Sequence, residues 1–171
     1  MAPKLECPNC GSDQNRSEVI VRRPVEKTSV VVTGHERIVC AVCGTEVGLT
    51  LHRAGELARI VMGALVRKPR RLTKEEFEYL RRRNGWKSNE LAASLGVTPS
   101  TVSRWESGAA PILPTADRAL RLMVVATGAV GLFDVGELGK IDDTDGAPLE
   151  VEIVLTEAGW MPSGLADRKA S

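Results

Sequence analysis

Four cysteines fall in two short pairs, Cys7-Pro-Asn-Cys10-Gly11 and Cys40-Ala-Val-Cys43-Gly44. Each pair fits a tight turn whose backbone N–H groups point at the thiolates, with the following Gly supplying the backbone angle the turn needs. Four thiolates form a closed tetrahedral shell, the donor set of structural Zn²⁺ with Zn–S near ~2.3 Å. Cys7, Cys10, Cys40 and Cys43 are therefore the predicted metal ligands. His35 and His52 are further donors by residue type, but four Cys already complete the shell. A redox dithiol is the alternative chemistry. A second set of residues has the types that read DNA. Arg104 carries a forked cation suited to guanine O6 and N7, with Ser100 and Ser103 as short donors or acceptors beside it.

Those residues need a rigid carrier, and the stretch Leu72–Gly108 provides one. Apolar residues recur at helical spacing in three blocks: Phe77 and Leu80; Leu91, Ala92 and Leu95; Val102 and Trp105. Asn84-Gly85 closes the first helix. Ser88 is the expected N-cap of the second, and Gly96-Val97 makes the turn to the third. Thr98 then caps the third helix, with Pro99 at its first position, where a missing N–H does no harm. Small Ala92 permits close approach, and Val97 and Val102 fill the corner. The outer face of the third helix carries Pro99, Ser100, Ser103, Arg104 and Ser107, while Trp86 and Trp105 read as core. The predicted DNA-contacting set is Ser88, Asn89, Thr98, Pro99, Ser100, Thr101, Ser103, Arg104 and, from the preceding basic segment, Arg71. Taken singly, each is also what an ordinary helix surface carries. The agreement of caps, turn and charge is what points to a helix-turn-helix.

The segment GVTPSTVSRWESG, preceded by SNELAASLG, resembles the Xre or lambda-repressor-like helix-turn-helix. It is most similar to the version in MqsA/YgiT-type antitoxins, in which LTxxExxxLR comes first and SRWExG ends the third helix. The CPxCG, alternating β segment and CxxCG of the N-terminus resemble the zinc finger of the same family, in the same order along the chain. Together the two resemblances cover roughly residues 5 to 125. They imply that Ser100 and Arg104 read bases. They also imply that Asn89, shorter than the usual Gln, braces the phosphate backbone, and that the finger grips a cognate toxin, usually a small ribonuclease. A finger that serves only stability or dimerisation is the plainer reading.

Charge supports a nucleic-acid partner for the middle of the chain. The whole has a formal net charge of +1, but Arg53–Arg121 holds 14 basic and 7 acidic residues, and Leu122–Ser171 holds 3 basic and 9 acidic. No apolar run reaches the roughly 18 residues of a membrane span, and no signal peptide is visible. Paired C-x2-C motifs point to a reducing cytoplasm.

Around these motifs the chain divides into four expected parts. Residues 1–53 form a small β-rich, four-cysteine zinc-binding domain, with strands over Ser17–Arg23 (Val19 and Val21 on one face), Ser29–Thr33 and Arg37–Val39. So small a block needs its metal to fold. Residues 54–71 form a helix, Ala54–Val66, and a basic linker. Pro69 breaks that helix, and Arg67-Lys-Pro-Arg-Arg71 is either a phosphate-tracking arm or a solvated hinge. Residues 72–135 form the all-α helix-turn-helix domain, with a further helix over Ala116–Val125 capped by Thr115 and a short one at Gly128–Phe133. Leu132 and Phe133 are candidates for a dimer contact or for core. Residues 136–171 form an acidic extension. Asp142-Asp-Thr-Asp145-Gly lacks the glutamate of a calcium loop and reads as an acidic turn. Leu149–Thr156 reads as one strand, which must join another sheet, pair across a dimer or be ordered by a partner, a basic toxin included. The fold class is α+β.

The function that follows is a zinc-dependent antitoxin that binds operator DNA as a homodimer, neutralises a toxin and represses its own operon. A stand-alone Xre-type regulator and a thiol/zinc redox-sensing repressor are the alternatives. No nucleophile–base pair, phosphate loop or paired carboxylate motif marks an enzyme or a small-molecule substrate.

Overall fold

The computed structural model describes residues 5–20, 23–50, 52–144 and 146–163. Val21 and Asp145, both named above, lie outside them. The chain forms two compact units: one of residues up to Pro24, Val31–Ala54 and from Val151 on, the other of Val25–Val30 and Gly55–Glu150.

Two sheets build the first unit, with Val30 of the second unit at the start of one strand. β1 (Asn15–Ile20), β4 (His35–Cys40) and β5 (Glu46–Thr50) form one, in the order β1-β4-β5. β2 (Arg23–Pro24), β3 (Val30–Thr33), β6 (Val151–Thr156) and β7 (Gly159–Pro162) form the other, in the order β2-β3-β6-β7. Pro24, expected to end a strand, sits in an edge strand, the place in a sheet where its missing N–H is tolerated. The chain passes from one sheet to the other at Gly34. Its φ is +116°, and a Cβ there would stand 2.6 Å from the Cβ of Leu155, so only glycine can make the corner. The strand expected over Leu149–Thr156 is β6, and it is an inner strand, flanked by β3 and β7. It therefore offers no free edge to another chain, which corrects the idea that this strand augments a partner's sheet. β5 and β7 were not anticipated.

Ile38, Val39, Val32, Ile153 and Trp160 form the buried apolar set of this unit, and His35 is buried with them. The His35 ring meets Trp160 edge-on at 4.9 Å, and its Nδ1 has no partner among the described residues. Burial, with His52 and Arg23 adding to it, holds His35 below its ordinary value of 6.5. The fold thus favours the neutral ring, and the unfolded chain binds the proton more readily. Stability should be undiminished above pH 6.5 and fall below it, by at most about 1.4 kcal/mol per pH unit. Urea melts from pH 7.5 to 5 should show this loss, and His35→Phe, which keeps the ring stack, should flatten the difference. Equal pH dependence in both proteins would contradict the assignment.

The second unit is helical. α1 (Ala54–Val66), α2 (Lys74–Arg83), α3 (Ser88–Leu95), α4 (Pro99–Ser107) and α5 (Pro114–Ala126) enclose Val61, Leu65, Phe77, Leu80, Leu91, Ala92, Val102, Trp105, Leu120 and Val124, all buried. Thr73 caps α2 in a reciprocal capping box. Its hydroxyl accepts the Glu76 N–H (3.2 Å), and the Glu76 carboxylate accepts the Thr73 N–H (2.8 Å). Two local expectations are corrected. Leu113, not Thr115, is the N-cap of α5, because Pro114 takes the first helical position. The short helix expected at Gly128–Phe133 is a turn, and a 3-10 helix forms instead at Val135–Lys140, capped by Asp134. In it, Leu138 is buried, whereas Leu132 is fully exposed.

The basic segment before α2 is neither a loose arm nor a solvated hinge. Lys68 is buried and its Nζ donates to Glu76 Oε2 at 2.5 Å. Burial pulls the Lys68 ammonium below the ordinary lysine range, against the opposing pull of Glu76. Arg121, also buried, donates to the backbone oxygens of Val66 (3.0 Å), Lys68 (2.6 Å) and Arg70 (2.6 Å). It is held in turn by Asp117, whose Oδ2 accepts from Nε at 2.9 Å and whose Oδ1 accepts the Leu72 N–H at 2.8 Å. One guanidinium thus satisfies carbonyls at the end of α1 and along the bend at Pro69, where no helical N–H remains to reach them.

Candidate metal centre and nucleic-acid interface

β1 runs antiparallel to β4 with Asn15 opposite Cys40, so the turn before β1 and the turn after β4 lie side by side. The Ala41 N–H donates to the Gln14 carbonyl at 2.8 Å and locks that placement. The two turns share one hydrogen-bond plan. Cys7 N–H reaches Ser12 O and Gly11 N–H reaches Cys7 O; Cys40 N–H reaches Thr45 O and Gly44 N–H reaches Cys40 O; all four bonds are 2.9 Å. Gly11 and Gly44 have φ of +70° and +75°, as that plan demands.

The result brings together the four sulfurs predicted from the sequence. Their Sγ atoms all lie within 4.8 Å of one another, with Cys7–Cys43 at 3.6 Å and Cys10–Cys40 at 3.5 Å. A tetrahedron with metal–sulfur bonds of about 2.3 Å has sulfurs about 3.8 Å apart, so the cage is of the size a metal ion needs. Thr45, through its side chain and then its backbone, lowers the Cys43 thiol to about 5, with Asn9 and Cys10 adding to the effect. Backbone N–H groups of Cys43 and Val42 lower Cys40 as well. Deprotonated sulfur is the form a metal binds. Cys7 and Cys40 are buried and Cys10 and Cys43 exposed, so one side of the cage faces solvent. Neither His35 nor His52 joins the cluster. His52 Nε2 lies 3.6 Å from Glu36.

In the second unit, α3 and α4 meet at a tight corner. Gly96 ends α3 in the left-handed conformation, and the Val97 N–H reaches back to Ala92 O at 2.9 Å. Ala92 and Val102 are fully buried there, and Trp105 packs edge-on against Phe77 at 5.8 Å. Thr98 caps α4 as expected, accepting the Thr101 N–H at 3.3 Å, and its hydroxyl exchanges hydrogen bonds with those of Ser100 and Thr101 at 2.9 Å each. Lys87, not Ser88, is the N-cap of α3. The Lys87 N–H is answered by Glu90 Oε2 at 2.8 Å, and Ser88 is the first helical residue.

Pro99, Ser100, Ser103, Arg104 and Ser107 all stand exposed on α4, and Asn89 is exposed at the start of α3. Among the described residues nothing ion-pairs with the Arg104 guanidinium or accepts from it, which separates it from the arginines nearby. Arg81 grips Glu106 of α4 with two bonds (2.5 and 3.1 Å) and donates to Trp86 O at 2.8 Å. Arg82 pairs with Glu78, and Arg83 with Glu26. Arg81–Glu106 thus fixes α4 against α2, while the Arg82 and Arg83 pairs lie at the surface. Sequence reasoning missed that clamp, since nothing distinguishes one Arg of three. Trp86 is only half-buried. Arg71 is half-buried too, its Nη1 donating to Ile112 O at 3.2 Å. It lines an open cleft of about 530 Å³ with Lys74, Trp105, Gly108 and Ile112, beside the end of α4.

This geometry presents one short helix with its inner side locked and its outer side carrying a free guanidinium and hydroxyls, as entry into a major groove requires. No helix among the described residues is long and apolar enough to cross a membrane. No curated protein and no solved structure matches the chain. A family model described as helix-turn-helix does match, over residues 77–125, from the middle of α2 almost to the end of α5. The chain carries, in that stretch, the helix-turn-helix of a DNA-binding transcription regulator.

Proposed function

We propose that the protein is a transcriptional repressor that binds operator DNA as a homodimer and serves as the antitoxin of a small ribonuclease toxin, with Zn²⁺ held by Cys7, Cys10, Cys40 and Cys43. The observation that supports DNA reading is Arg104 on the exposed side of α4, unpaired among the described residues. Two such helices a helical turn apart would supply the specificity that one module lacks. The order of a four-cysteine finger before this helix-turn-helix, together with the resemblance it carries, supports the antitoxin role. Zn²⁺ is the ion that a closed set of four thiolates favours, and it would serve folding rather than catalysis. The protein acts in the cytoplasm, where such thiols stay reduced, and it is not an enzyme.

Arg104→Ala should cost about 1–3 kcal/mol of operator affinity and relax the preference at one base pair. Arg71→Ala should weaken all duplexes alike. Fluorescence anisotropy with operator and scrambled duplexes separates the two, and unchanged operator affinity in Arg104→Ala would refute this docking of α4. The toxin is tested by co-expression with the adjacent reading frame: a small basic protein should co-purify with the chain and lose its ribonuclease activity. An independent repressor is the reading that survives if no such partner is retained.

A further inference from the structure

Between the helical body and β6 the chain crosses the basic segment as a strap. The Asp142 N–H donates to Pro69 O at 2.9 Å and the Arg71 N–H to Asp142 O at 3.2 Å, so that Asp142 lies beside Arg70 as a one-residue parallel bridge. Further on, Gly146 presses against the same segment: a Cβ there would stand 3.1 Å from the carbonyl oxygens of both Arg71 and Leu72. The Leu149 N–H then donates to buried Glu76 Oε1 at 2.7 Å. The strap is therefore anchored at Asp142, Gly146 and Leu149.

Its carboxylates lie among guanidiniums. Asp143 takes two bonds from Arg118, each of 2.9 Å, and Arg118 Nε also donates to Leu138 O at 3.1 Å. The Asp142 carboxylate accepts the Thr144 N–H (2.9 Å) and hydroxyl (2.6 Å) and stands in the field of Arg70 and Arg71. A bidentate carboxylate on arginine has the geometry and charge of a bound phosphate. Arg71 also reaches the wall of the cleft at the end of α4, where backbone phosphates would pass a duplex held by that helix.

We propose that the strap is a built-in competitor for nucleic-acid phosphate: Asp143 occupies Arg118, the Asp142 charge offsets those of Arg70 and Arg71 beside it, and together they hold the chain in a weakly binding state. This rests on the reading of α4 as the DNA-contacting helix. Lifting or neutralising the strap frees cations for the phosphate backbone and adds affinity that does not depend on sequence.

The test compares full-length wild type with Asp142→Asn/Asp143→Asn. At 142, Asn keeps an acceptor for Thr144; at 143, it removes the charge and one of the two acceptors of Arg118. The control is Glu137→Gln/Glu157→Gln, which makes the same change in net charge at two exposed carboxylates that no guanidinium pairs with among the described residues. Binding to an operator duplex and to a random-sequence duplex is titrated in salt, with elution from heparin as a readout independent of any operator. The strap variant should bind both duplexes about 3- to 10-fold more tightly at low salt, with the salt slope steeper by about one to two, and should elute later from heparin. The control should change affinity less than about twofold. Equal affinity and slope in wild type and strap variant, or a gain no larger than the control's, would overturn the proposal. Should the double variant melt early, Asp143→Asn alone, which loosens only the Arg118 pair, gives the same comparison. Failure of the α4 reading would look different: Arg104→Ala would leave operator binding intact while the heparin shift persisted.

Discussion

Cys40→Ser should abolish stable metal binding and unfold the β-rich unit. Loss of an outer-shell partner already costs a metal site about 10- to 100-fold, so loss of a ligand should cost at least about 100-fold. Cys40 is also fully buried at the end of β4, where its N–H and carbonyl close the turn to Thr45 and Gly44. The two sheets bury few large side chains, and a metal in the cage would supply much of the folding free energy of a unit of this size, about 10–16 kcal/mol for structural zinc in small peptides near neutral pH. Wild type should carry one zinc per chain by elemental analysis. Cys40→Ser, or wild type stripped by a chelator, should lose the amide-exchange protection of β4 and β6. Full protection in metal-free protein would show that the sulfur cluster is not a folding element.

Arg121→Met should be the most damaging single change in the helical unit, at about 3–5 kcal/mol. Removing the guanidinium leaves the buried Asp117 carboxylate, among the described residues, with only the Leu72 N–H as partner, and it takes from the carbonyls of Val66, Lys68 and Arg70 the donor they share. Equilibrium unfolding in urea measures the loss, and Asp117→Asn/Arg121→Met should recover part of it, because the uncompensated charge is then gone. A cost under about 1 kcal/mol for Arg121→Met would mean that water reaches these groups and that the segment through Pro69 is loosely held.

Much of this was legible in the residues. α1 was read from its apolar spacing, and the α3–α4 corner from Ala92, Val102 and the Thr98-Pro99 cap. The four sulfurs were read as one cage from two matching C-x2-C-G turns. In each case the signal is local: a cap, a turn glycine or a helical period acts within a few residues. What escaped is long-range. Lys68 and Arg121 look like surface cations until their partners, Glu76 and Asp117, arrive with them in the core. The spacing of Asp117 and Arg121 was the one available hint. β5 and β7 are short and carry glycine or proline, and they are strands because a neighbouring strand lies ready to pair with them. Ser88 and Thr115 have the residue types of caps, yet Lys87 and Leu113 hold those positions: Glu90 accepts the Lys87 N–H in one case, and Pro114 sets the helix start in the other.

The proposed function depends on entry of the outer side of α4 into a DNA groove. A photoreactive benzophenone side chain introduced in place of Ser103 tests it most directly, since Ser103 is exposed between Ser100 and Ser107 on that side. On irradiation with a duplex carrying the operator, the full-length protein should cross-link to bases of the half-site, and an excess of unlabelled operator should suppress the product. Cross-links to protein alone, with the duplex bound but untouched, would contradict it.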